Sequence, residues 1–303
     1  MLGYSTARST STSDRVHETV TLLQRRGYAL KPARLAVLCL GGPISESEVR
    51  WAVAASPDLA VVEDLVVDRP AAARVDAIRS RALAHDADAD HYLRMTVRFV
   101  RTLLAAAPFI RSVSIAGSLA SGGFRASDDV DLNLIVDDGY RHLAYLAVNV
   151  LGLFHALAHR AKPVDDLTRR PLAPRLMTAN LILERSQYHP LARQDEQMAF
   201  ELLMAEPVFG MDEVHDLIDA NPELLVHFPQ LALKPAPLLI DRPVRRLPSA
   251  LFPRRLDGAA RVIGQAAWRY MQWTRRHRPD ALARVAYVRS TMHPFALFEA
   301  RKL

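Results

Sequence analysis

Asp129 and Asp131 stand two residues apart in a short apolar run, and Gly117-Ser118 ends an earlier one, with ten residues between the two motifs. The β-branched content of both runs predicts strands over Ile110–Ala116 and Val130–Val136. Side chains on a strand alternate faces, so Asp129 and Asp131 are expected on one face. Two carboxylates on a rigid strand suit a divalent cation. Mg²⁺ takes hard oxygen ligands, commonly one or two carboxylates plus substrate phosphates. Paired ions about 3.5–4 Å apart clamp the attacking and leaving oxygens of an in-line phosphoryl displacement. Gly117 lets backbone approach a phosphate, and Ser118 adds a hydroxyl and N–H donors at a helix start. A plain turn accounts for Asp128-Asp129. It leaves Asp131, which interrupts an apolar strand, unexplained. The glycines match neither the dinucleotide-binding fingerprint nor the P-loop, since no Lys follows them at the required spacing.

The elements that must position these residues follow from periodicity. Residues 70–107 have helical spacing and lead into Pro108 as one or two helices, with Arg74, Arg79, Arg81 and Arg94 on solvated faces. After Val136, Asp137-Asp138-Gly139 predicts a turn, residues 141–161 an apolar buried helix, and Leu176–Leu183 a further strand. That strand offers Asn180 in its middle. Glu184 lies four residues on, an even separation that predicts the same face. Upstream, residues 14–28 and about 33–40 read as helices. Ser45 and Glu48 form a capping box that starts a third, and Leu59–Val62 and Leu65–Val67 read as a hairpin. Three helices and a hairpin are the plan of a winged helix. Its third helix sets Arg50 beside Glu46 and Glu48, which suits a protein contact better than DNA. Residues 192–227 read as two helices broken at Pro207 and Gly210, and 228–256 as an irregular, proline-rich connection. Residues 257–278 read as a helix with a basic end, whose Trp268, Tyr270 and Trp273 are expected in the core rather than stacked on single-stranded nucleic acid.

The expected class is α+β: a disordered tail (1–13), a winged-helix-like domain (14–69), connecting helices (70–107), a core with a small mixed sheet (108–190) and a helical, basic C-terminal domain (191–303). At 303 residues with one cysteine, Cys39, there is no internal disulfide framework, and a cytoplasmic location is expected. The longest apolar run, 143–158, contains Asn149 and His155 and is short for a bilayer span, so no membrane is expected. The net charge is +6. Residues 231–303 carry 15 Lys/Arg against 4 Asp/Glu, a net +11, so the preceding 230 sum to −5. A basic C-terminal region favours an anionic partner.

Gly117-Ser118, the ten-residue gap and Asp129-Val130-Asp131 together resemble the signature of the nucleotidyltransferase superfamily with a DNA polymerase β type of core. The wider layout resembles a group of bacterial proteins that join a winged helix to such a core and a helical C-terminal region. Pro108-Phe109-Ile110, Asn180, Glu201-Leu202-Leu203, Glu206–Gly210, Asn221-Pro222 and His293-Pro294 carry that wider likeness. The group often has an Arg/Trp-rich start to the helix after the acidic strand, where this chain has Gly139-Tyr140-Arg141-His142. The resemblance implies an NTP with its triphosphate on Gly117 and Ser118, and Mg²⁺ or Mn²⁺ on Asp129 and Asp131. It implies Asn180 at a metal-bound water or ribose hydroxyl. Transfer to an acceptor (nucleic acid, protein or small molecule) would release pyrophosphate. A third carboxylate common to such cores is not evident, Glu184 and the Asp165-Asp166 pair being alternatives. The competing expectation is a nucleotide-sensing or DNA-binding regulator that has lost turnover.

Overall fold

Ser11 opens the first helix. Its hydroxyl accepts from Asp14 N while the Asp14 carboxylate accepts from Ser11 N, so α1 runs Thr12–Arg25, two residues earlier than the polar composition suggests. The structure is a computed structural model that describes residues 11–159, 162–163, 176–234, 239–240, 243–276, 279 and 282–283. Asp165, Asp166 and His293-Pro294 lie outside the described residues.

α2 (Pro32–Val37) carries proline at its first position, where a missing N–H costs nothing. α3 (Glu46–Ala55) starts at the Ser45–Glu48 capping box. β1 (Leu59–Val62) and β2 (Leu65–Asp68) form an antiparallel hairpin. Glu63 and Asp64 at its tip both take positive φ, as a two-residue turn between right-twisted strands demands. Leu30 bridges to Val66 and ties the hairpin to the helices.

α4 (Val75–Ala106) is one continuous helix. It buries Tyr92, Met95, Phe99 and Leu103 at three- and four-residue spacing. β3 (Ile110–Ala116) leads into α5 (Gly117–Ser121), and β4 (Val130–Val136) follows. α6 (Arg141–Leu157) then carries the chain over to β5 (Met177–Glu184), which lies parallel to β4 and so needs such a crossover. α7 (Glu196–Met204), β6 (Glu206–Phe209), α8 (Met211–Asp219), α9 (Glu223–His227) and α10 (Arg255–Arg275) complete the order. The sheet runs β5-β4-β3-β6, with β3 antiparallel to both its neighbours. The protein is α+β with small sheets.

Strand alternation sorts the sheet into two faces. Val130, Leu132, Leu134 and Val136 of β4 join Val113 and Ile115 of β3 in the core under α4 and α6. Ile135, Leu181 and Leu183 face the other way, into a second core built from α1–α3 and α7–α9. Asp131 and Asn133 share that second face with Ile135.

Three expectations change. Residues 206–209, expected to interrupt two helices, form the edge strand β6; Pro207 is tolerated there because an edge needs fewer amide donors. α6 buries only Ala144, Val148, Gly152 and Ala156, while Val150, Leu153 and Phe154 are exposed. In α10, Tyr270 and Trp273 are exposed rather than in the core. The line turned inward has small residues, Ala260 and Gly264, which allow α10 to pack along α6. Asp257 fastens the start of α10 to α6, accepting from Leu143 N at 2.8 Å and pairing with His142 Nδ1 at 2.8 Å. It satisfies a helix N-terminal amide. Among the described residues, no helix is long and apolar enough to cross a membrane.

Candidate functional site

The sheet brings the two motifs together. Ala116 pairs directly with Asp131, so the next residue, Gly117, turns over the Asp131 carboxylate. A Cβ on Gly117 would sit 2.2 Å from Asp131 Oδ2, and its φ of +62° is a conformation that L side chains rarely adopt. On the other side, Thr178 of β5 pairs with Asp131, and its hydroxyl donates to Asp131 Oδ1 at 2.8 Å. Glycine above and threonine beside it fix this carboxylate. Asp129 is half-buried just before β4 begins. Ser118 is buried in the first turn of α5, and its carbonyl accepts from Gly123 N.

Asp128 does different work. Its carboxylate accepts from Arg81 at 3.0 Å and from Arg125 N at 3.2 Å, and its carbonyl accepts from Lys162 Nζ at 2.8 Å. Arg81 also donates to Gly123 O. It therefore clamps the loop between the motifs and is not the solvated residue expected.

Asn180 lies on the face that carries Asp131. Its amide donates to Asn133 Oδ1 at 2.9 Å and to Glu201 Oε1 at 3.0 Å. A register shift between Leu132 and Asn133 pairs Leu132 with Ala179 and Asn133 with Leu181, so Asn180 is the extra residue of a bulge. That bulge overturns the expectation for Glu184. With alternation reset, Leu181 and Leu183 share the face of Asn180, and Glu184 turns to the opposite one. There it accepts from Gly139 N at 2.8 Å, at the far end of β4 from Asp131.

The carboxylate that meets Asn180 is Glu201, on α7. Its side chain is 12% exposed and its Oε2 lies 3.9 Å from Arg26, which in turn packs over the Phe200 ring. Sequence reasoning used Glu201 only as part of a likeness. An acid on a helix, 21 residues from the Asn180 it meets, leaves no spacing signal. Tyr28 also reaches this region from the N-terminal helices and packs where a Cβ on Gly123 would be, 2.2 Å from its ring. Burial pushes the Tyr28 hydroxyl up to about 12; Arg81 opposes that shift, and Asp131, Asp128 and Glu201 add to it.

Asn133 is 8% exposed, and its Nδ2 has no protein partner. It lines a cavity of about 20 Å³ with Ser114 and Lys234, room for about one water. Lys234 donates to Leu203 O at 2.8 Å, and burial pushes its amine down to about 8.

No cluster of three His, Cys, Asp or Glu is placed to hold a metal among the described residues. Asp131 lies against the Gly117 turn, and Asp129 stands two residues before it in the chain. That donor set fits a cation shared with substrate phosphates and not one caged by protein alone. No protein-family model, no curated protein and no solved structure matches the chain.

Proposed function

We propose that the protein is a metal-dependent nucleotidyltransferase with a polymerase-β-like core, an N-terminal winged helix and a cytoplasmic location. The observation that carries this is the seating of Asp131 beneath Gly117, which joins the turn and the acidic strand into one site. Asp129 and Asp131 would hold Mg²⁺ or Mn²⁺, which when bound neutralises the triphosphate and polarises its α-phosphorus. Gly117 leaves the backbone open to the phosphates and Ser118 offers its hydroxyl. An acceptor oxygen attacks the α-phosphorus, the bond from that phosphorus to the oxygen leading to the β-phosphate breaks, and pyrophosphate leaves. Glu201 accepts the acceptor's proton through Oε2, while Asn180 holds its other oxygen. Thr178 keeps Asp131 from rotating away.

A second reading, a nucleotide-sensing regulator without turnover, is favoured by the neutral Asn180 where such cores commonly carry a carboxylate. Incubation with each α-labelled NTP and RNA, protein and small-molecule acceptors separates the two. Label transfer with stoichiometric pyrophosphate supports the enzyme. Metal-dependent NTP binding with no transfer to any acceptor supports the regulator.

A further inference from the structure

α10 turns one side to α6, and the described residues of its other side are exposed. Ala260 and Gly264 are buried against the core, in line with Asp257. On the opposite ridge, at three- and four-residue spacing, stand Arg255, Val262, Arg269, Trp273 and then Arg276, all exposed, with alanines at 259 and 266 between them. Tyr270 beside this ridge is 65% exposed and Trp273 is 55% exposed. Their rings stack at 24° with centroids 6.0 Å apart, and the Arg276 guanidinium lies 4.2 Å over Trp273. The only acid of α10, Asp257, is already held by His142 and Leu143 N.

Large rings left in water beside guanidinium groups are the composition on which unpaired bases stack, while arginines neutralise the phosphates. A second copy laid on this ridge would set arginine against arginine, which is repulsive. A partner helix would want a continuous apolar row. Leu256, Ile263, Tyr270 and Trp273 give one, but Arg255, Arg269 and Arg276 border it along its length, unlike the uncharged outer stripe of α6 at Val150, Leu153, Phe154 and Leu157.

We propose that this face of α10 binds single-stranded nucleic acid, with bases on Tyr270 and Trp273 and phosphates at Arg255, Arg269 and Arg276. If nucleotidyl transfer holds, and the next assignment alone rests on it, the bound strand is the acceptor.

The test is fluorescence anisotropy of the full chain with labelled oligothymidylate, oligouridylate and a duplex of equal length, at low and rising salt. Single strands are expected to bind more tightly than duplex. Y270A and W273A should each weaken that binding roughly 5- to 150-fold, the range of one lost base stack, while W273F restores it. R269Q should lower the slope of log affinity against log salt by about one. All these positions are exposed, and an unchanged circular dichroism melt checks the fold. No single-strand binding at low salt would overturn the proposal, as would affinity indifferent to Y270A and W273A. So would W273A abolishing self-association or binding to anionic phospholipid vesicles while strand binding persists. D129N separates this from the catalytic reading: it should remove NTP binding and leave strand binding intact, whereas W273A should weaken strand binding and leave NTP binding intact.

Discussion

Replacing Gly117 by alanine probes the closest approach in the site. The new methyl carbon would stand 2.2 Å from Asp131 Oδ2 and 3.1 Å from its Cγ. Either the turn or the carboxylate must move. An alanine at φ +62° costs about 1–2 kcal/mol by itself. Swinging Asp131 away also breaks its 2.8 Å hydrogen bond from Thr178, about 1 kcal/mol more. G117A should therefore lose about 2–3 kcal/mol in urea denaturation. The informative experiment is a double-mutant cycle with D131A. With the carboxylate removed, the 2.2 Å clash and the threonine bond are absent and only a Cβ contact at 3.2 Å remains, so G117A should cost little more than the backbone term. The two substitutions should then couple by about 1 kcal/mol or more. Strict additivity would refute the placement of Asp131 under Gly117, and so would a G117A protein as stable as the parent.

Other substitutions separate roles along the same face. D128N should leave NTP binding within about twofold yet cost roughly 1 kcal/mol of stability, because it weakens the part-buried Arg81 clamp; binding titrations and denaturation curves read the two effects. E201Q should retain NTP affinity and lower the transfer rate about a hundredfold, the smaller end of general-base effects; an unchanged rate would remove Glu201 from the chemistry. Lys234, held near 8 against an ordinary 10.5, disfavours the fold by up to about 3 kcal/mol while charged. Its folded value is the lower one, so the penalty is complete below pH 8 and fades towards 10.5. Parent stability should consequently rise between about pH 8 and 9.5, below the range where the tyrosines titrate. K234M should be more stable at pH 7 and flatter over that window. An equal slope in both proteins would contradict it.

Much of the site's frame is legible in the sequence because its signals are local. Ile110–Ala116 and Val130–Val136 are strands as their residues suggest, since β-branched runs bounded by turn residues need no distant information. Ser45 and Glu48 start α3 because a capping box is complete within four residues. What stays hidden depends on partners far along the chain. β6 has only four residues, one of them proline, and becomes a strand because β3 offers it an edge. The bulge at Asn180 arises from pairing with β4, and a strict count of two residues per repeat therefore sends Glu184 to the wrong face. In α10 the usual rule that bulky apolar residues turn inward fails. Close packing on α6 selects Ala260 and Gly264, and the aromatics remain outside.

The central claim is that Asp129 and Asp131 hold a metal-bound nucleoside triphosphate at the Gly117-Ser118 turn. Isothermal titration of each NTP, with Mg²⁺ or with EDTA, into the parent, D129N, D131N and D128N tests it most directly. Metal-dependent binding is expected in the parent and in D128N, and none in D129N or D131N, with all four proteins folded. Equal loss in all three variants, or binding that ignores both the metal and the two aspartates, would contradict the account.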